Sequence, residues 1–131
     1  MITLGVTLLV MWASASPASA QFSGRLLISE FGTNSIADVV DGGDVTGQPR
    51  FATGLSNPIG LCVGPNDNIY VAEYGSGEVT IITAGGDFTG APAFATGIGG
   101  IVGLACTSTQ VWAVSWDNQR LFNITAGGNF A

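Results

Sequence analysis

The amino-acid sequence predicts an all-β fold: a partial β-propeller of about two and a half four-stranded antiparallel blades, repeating about every 43 residues. Three observations predict it. Phe51-Ala52-Thr53-Gly54 returns as Phe94-Ala95-Thr96-Gly97, and residues 26–61 laid on residues 69–104 share 14 identities in 36 positions without a gap. Periods of about 40–45 residues mark propeller blades or helical arrays. Within each period the apolar runs are short, rich in β-branched and aromatic residues, and broken by Gly, Pro, Asn and Asp. That composition favours four short strands per repeat over helices. Finally, the runs are apolar at both odd and even positions: Ile69 and Val71 point one way, Tyr70 and Ala72 the other, and Val111 to Trp116 follow the same rule. A strand in a two-sheet sandwich carries one polar face, whereas a blade stacked between two others buries both.

The elements follow in order. Residues 1–20 read as a secretory signal peptide: an apolar, uncharged run, then Pro17 and the small-residue pattern Ala18-Ser19-Ala20. The apolar run is about 14 residues, short of the ~20 a bilayer span requires, so no stable membrane span is expected. Residues 21–131 form the propeller segment. Strands expected over 26–31, 35–40 and 49–54 belong to a first blade. Those over 59–63, 69–74, 79–83 and 93–97 complete a second, and 102–106, 111–116 and 120–125 begin a third. Pro65-Asn66-Asp67, Gly75-Ser76-Gly77 and Gly85-Gly86-Asp87 supply the turns between them. These strands do not close a ring. The expected product is therefore a fragment of a longer propeller, with self-association through open blade faces as the alternative.

Charge and composition exclude whole classes of chemistry. The formal net charge is −6, the chain has no His, and Arg25, Arg50 and Arg120 lie far apart. Nucleic-acid binding needs clustered Lys and Arg and is not expected. Without His there is no Ser-His-Asp or Cys-His nucleophile pair, and two Cys cannot form a Cys/His zinc site. Export would permit a disulfide. However, Cys62 aligns with Ala105 and Cys106 with Val63, one residue out of phase. Adjacent strand positions point to opposite faces, and a bridge needs converging Cβ atoms. The reading therefore favours buried free thiols.

The stretch from Asn57 to Ile82, NPIGLCVGPNDNIYVAEYGSGEVTII, resembles the repeat of NHL, SMP-30/gluconolactonase-like and related TolB-like six-bladed propellers. In those repeats the recurring phrase has a Pro and Gly-Leu entering the first strand, a Gly-Pro-Asp-Gly-Asn-type turn, then an aromatic residue and a terminal acid. LLISEFGTNSI and IYVAEYGSGEV are similar, more distantly, to virginiamycin B lyase-like repeats. The resemblance spans about residues 24–131. In the third copy Gly100-Ile101 replaces Pro58-Ile59, and Ser115 replaces the acid. SMP-30-like enzymes hold a metal through Glu, Asn and Asp for lactone hydrolysis, which implies a metal-dependent hydrolase as one reading. Virginiamycin B lyase-like catalysis uses a His, which this chain lacks.

Glu30 and Glu73 are the sharpest polar candidates, each ending a strand before an aromatic-Gly turn. Hard carboxylate oxygens there suit a divalent cation, calcium or zinc. Their recurrence equally suits a structural fastener, since scaffolds repeat while catalytic sites break symmetry. Asp44, Asp87 and Asn129 follow Gly-Gly pairs and are expected to bond local amides in tight turns. Tyr70, Tyr74, Trp112 and Trp116 are expected to pack between blades, with a carbohydrate- or peptide-binding face as the alternative. The expected function is a binding or recognition scaffold, secreted or periplasmic, for a small molecule, carbohydrate or protein. The alternatives are the metal-dependent hydrolase and a truncated product without activity of its own.

Overall fold

The structure, a computed structural model, describes residues 26–39 and 44–131. The signal peptide expected over 1–20 lies outside the described residues. In the first blade run β1 (Leu26–Glu30), β2 (Ser35–Val39) and β3 (Arg50–Thr53). The second contains β4 (Pro58–Val63), β5 (Ile69–Glu73) and β6 (Glu78–Ile81), then a two-residue strand β7 (Gly86–Asp87), then β8 (Ala95–Thr96). The third contains β9 (Ile101–Cys106), β10 (Val111–Ser115), β11 (Arg120–Asn123) and a second two-residue strand, β12 (Gly128–Asn129). Apart from β7 and β12, inner-to-outer order within each blade is sequential and antiparallel, as expected for a propeller.

The core is two apolar slabs, one between each pair of blades. Ile36, Ala52 and Leu55 pack with Ile69, Val71 and Ile82 between the first and second blades. Tyr70, Ala72, Val79, Ala95 and Ile98 meet Ile101, Val111, Ala113, Phe122 and Ile124 between the second and third. Strand β5 therefore buries Ile69 and Val71 backwards and Tyr70 and Ala72 forwards, as its two apolar faces predict. Each fully buried aliphatic side chain contributes roughly 1.5–3 kcal/mol, so stacking stabilises the blades more than any single turn does. The third blade departs from this pattern. Val111 and Ala113 are buried, but Val114, on the strand's other face, is exposed, as is Trp116 in the turn after β10.

The recurring Gly-Gly phrase does more than turn the chain. β7 pairs in parallel with β3, Ala52 opposite Gly86 and Thr53 opposite Asp87. β12 pairs in parallel with β8, Gly128 opposite Ala95 and Asn129 opposite Thr96. Each phrase thus leaves its own blade and adds a short outer strand to the preceding one. Phe88 N donates to Thr53 O at 2.9 Å, and Phe130 N to Thr96 O at 2.9 Å. The glycines are required by close approach. Gly85 has φ +66°, and a Cβ there would lie 2.7 Å from the Phe51 carbonyl oxygen. Gly127 repeats this with φ +67° and 2.6 Å from the Phe94 carbonyl oxygen.

The cysteines correct the expectation of free thiols: Cys62 and Cys106 form a disulfide, with Cα atoms 5.8 Å apart. Both lie on innermost strands, β4 and β9, of neighbouring blades. Stacked blades meet through opposite faces, the forward face of one against the backward face of the next. Two residues facing each other across that gap must therefore be one position out of phase in the repeat. The offset that argued against a bridge is what the geometry demands.

Candidate functional site

The ends of β1, β5 and β10 carry equivalent residues: Glu30, Glu73 and Ser115. Each ties its strand to nearby backbone or side chains. Glu30 Oε2 lies 2.7 Å from Arg50 Nε on β3 and accepts hydrogen bonds from Ser35 Oγ at 2.8 Å and Thr33 Oγ1 at 3.2 Å. Glu73 is buried; its Oε2 accepts from the Ser56 amide at 2.6 Å, and its Oε1 accepts from the Thr80 hydroxyl. Ser115 Oγ accepts from the Asn118 amide at 3.1 Å. The Asn118 side chain in turn donates to the Ile98 carbonyl. The two glutamates sit in different blades and are bound by separate partners. Among the described residues no group of three or more His, Cys, Asp or Glu side chains is placed to hold a metal ion.

Arg50 was not singled out by the sequence. Besides Glu30, its Nη1 donates to the Val45 and Gln48 carbonyls, so it secures the loop leading into β3. With Asp38, Pro49, Phe51 and Ala84 to Gly86 it lines a surface cavity of about 300 Å³ where β7 meets β3.

The residues that follow the Gly-Gly pairs bond locally as expected. Asp44 Oδ1 accepts from the Thr46 amide, Asp87 Oδ1 from the amide and hydroxyl of Thr89, and Asn129 Oδ1 from the Ala131 amide. The Thr89 amide and then its hydroxyl hold the Asp87 carboxyl below its ordinary value. The Thr46 hydroxyl and then its amide do the same for Asp44. A carboxyl lowered by folding stabilises the fold above its unfolded pKa and loses that contribution as pH falls through the folded value. Urea unfolding at about pH 6 and at about pH 2.5 is therefore expected to show an acid loss that shrinks in the Asp87→Asn variant. An identical loss in both proteins would show that the turn carboxylate contributes nothing. Asn129 already fills the same place in the third copy without a charge.

The aromatic residues divide by blade. Tyr70 is buried and meets Phe94 edge-on with ring centroids 5.1 Å apart. Tyr74 is partly exposed and lies 6.2 Å from Phe31 across adjacent blades. In the third blade Trp112 is half-buried and Trp116 is 73 % exposed. Val102, Val114 and Leu121 are also exposed in this blade. The expectation that Trp116 packs between blades is corrected: it lies in the turn after β10, where its counterpart Tyr74 is exposed as well.

Residues 55–82 match the NHL repeat family. That span runs from the loop before β4 to the end of β6, the inner three strands of the second blade. No curated protein matches the chain in sequence. Among solved structures, the PQQ-bound form of an aldose sugar dehydrogenase from Streptomyces coelicolor is similar, with a TM-score of 0.56 and 18 % identity over 76 % of this chain and 41 % of that one. The chain thus spans less than half of that structure's length. At this identity the likeness bears on the fold alone, a β-propeller. No helix among the described residues is long and apolar enough to cross a membrane.

Proposed function

We propose that the chain is an exported β-propeller scaffold that recognises a protein partner through the outward face of its third blade. The exposure of Trp116, Val102, Val114 and Leu121 in this blade carries this reading, Leu121 standing opposite Val114. At the equivalent places of the second blade, Ala72 and Val79 are buried against the next blade, and Tyr74 is 42 % exposed against 73 % for Trp116. Contiguous exposed apolar surface containing Trp is the usual mark of a protein-binding site. Glu30 and Glu73 serve here as fasteners of the blade rim, since their oxygens accept from Arg50, Ser35, Ser56 and Thr80. Export is supported by the leader pattern and by the Cys62–Cys106 bridge, which persists in oxidising compartments.

The test is site-specific photocrosslinking in cells producing the full chain. A benzophenone amino acid at position 116 is expected to yield a discrete adduct, and the same group at the exposed turn residue Ser108 none. Equal labelling at both positions, no adduct from 116, or an adduct of twice the chain's own mass would each overturn partner recognition by this face.

A further inference from the structure

Each blade carries an aromatic residue in the same turn: Phe31 after β1, Tyr74 after β5 and Trp116 after β10. All are exposed, Phe31 at 50 %. A recurring residue that is buried and bonded, such as Glu73, serves the scaffold. A recurring exposed ring gains little from burial, so its repetition marks a surface.

The turns that carry these rings are pinned. Asn57, in the loop before β4, ties the first to the second. Its Nδ2 donates to the Phe31 carbonyl at 3.2 Å, and its own carbonyl accepts from Tyr74 N at 3.1 Å. Its amide donates to Asn34 Oδ1 at 2.9 Å, in the turn that follows Phe31. Trp116 N donates to the carbonyl of Gly100, the counterpart of Asn57, at 2.9 Å. Phe31 and Tyr74 meet across the seam between blades with ring centroids 6.2 Å apart and planes at 50°. They form one aromatic ledge over two blades, and Trp116 holds the same place on the third. Backbone fixed in advance lowers the ordering cost of binding.

The chemistry beside the rings selects the occupant. The carboxylates of this rim are engaged, Glu30 with Arg50 and Glu73 with Ser56 and Thr80. The ring tips can donate: Tyr74 carries an O–H and Trp116 an indole N–H. A polyproline II segment complements both features. Its prolines have no N–H to satisfy, its carbonyls accept, and it shows the same face every third residue. Such segments dock on aromatic-lined surfaces because they are extended before they bind. Asp117 is exposed directly after Trp116, and the net charge of the chain is −6. A basic residue flanking the prolines is therefore drawn to this rim. A neutral glycan also stacks on aromatic rings but gains nothing from that field.

We propose that Phe31, Tyr74 and Trp116 form a docking ledge for a proline-rich segment with basic flanks. This site rests on the reading above in one respect, that the partner is a protein, and names the segment the partner presents. Tyr74, between the other two, is the anchor.

An oligoproline peptide with an arginine at each end tests this on the full, oxidised chain. It is expected to bind saturably and to shift the ring NMR signals of Phe31 and Tyr74. Tyr74→Ala is expected to weaken binding about tenfold. The same peptide with glycine at every third proline is expected to lose about as much, because it is no longer extended in advance. Phe31→Ala carries the same test should Tyr74→Ala not fold. Equal affinity of parent and variants, equal affinity of the glycine peptide, or saturable binding of cellohexaose in place of the oligoproline would each overturn the ledge. A crosslink from position 116 without peptide binding also removes the ledge and leaves recognition by the third blade standing. Peptide binding that depends on Tyr74, without that crosslink, does the reverse.

Discussion

Replacing Cys62 and Cys106 together by serine is expected to lower the free energy of unfolding by about 4 kcal/mol. The bridge closes a loop with a sequence separation of 44, and loop entropy of that length is worth about this much in the chain-entropy account. For a domain of this size the midpoint of thermal unfolding falls by roughly 20 °C. The loss has a defined place. The bridge joins the innermost strands of the second and third blades, β4 and β9, which belong to different sheets and share no ladder. Amides of β9 and β10 are expected to lose exchange protection before those of β1 and β2. A double variant within about 1 kcal/mol of the parent, or one that loses protection uniformly, would show that stacking alone fixes this interface.

The second large effect is expected at the clasp. Gly85→Ala places a Cβ 2.7 Å from the Phe51 carbonyl oxygen and 3.1 Å from its ring, at φ +66°. The left-handed conformation costs about 1–2 kcal/mol for a non-Gly residue. The contact is with backbone, so relief requires the parallel pairing of Ala52 with Gly86 to open. A total of about 3 kcal/mol is expected. Gly90→Ala is the control, with φ +71° and nothing within 4 Å of the added atom; it is expected to cost only about 1 kcal/mol. Urea unfolding of the two variants separates backbone strain from loss of the clasp. If both cost the same, β7 does not hold the first blade.

Much of the scaffold was legible in the residues. The strands over 26–31, 35–40, 69–74 and 111–116 appear within a residue or so of their expected ends, because Gly, Asn and Asp mark their limits. The opposite faces of Ile69/Val71 and Tyr70/Ala72 were also readable, since alternation on a strand is local. The candidate site was legible in position but not in partnership. Glu30 and Glu73 stood out by recurring at strand ends. Arg50 did not, because its relation to Glu30 arises only when β3 pairs with β2 and brings residue 50 beside residue 30. Ser56 reaches Glu73 through its backbone amide, which any residue type could supply, so no side-chain signal marks it.

The phrase Gly-Gly-Asp-x-Thr-Gly-x-Pro-x-Phe-Ala-Thr-Gly shows where the boundary lies. By itself the sequence determined the period, the bonding of Asp87 to local amides, and a short strand within 93–97, observed as Ala95–Thr96. Only the tertiary structure decided that its two halves serve different blades: Gly86-Asp87 clasps the blade before, while Ala95-Thr96 completes its own. The disulfide has the same origin. Repeat register compares equivalent positions, whereas stacked blades bring together opposite faces, which are one residue apart. Local pattern fixes what each strand is. Which blade meets which depends on contacts more than thirty residues apart, such as Ala52 with Gly86 and Cys62 with Cys106, and those exist only once the blades have stacked.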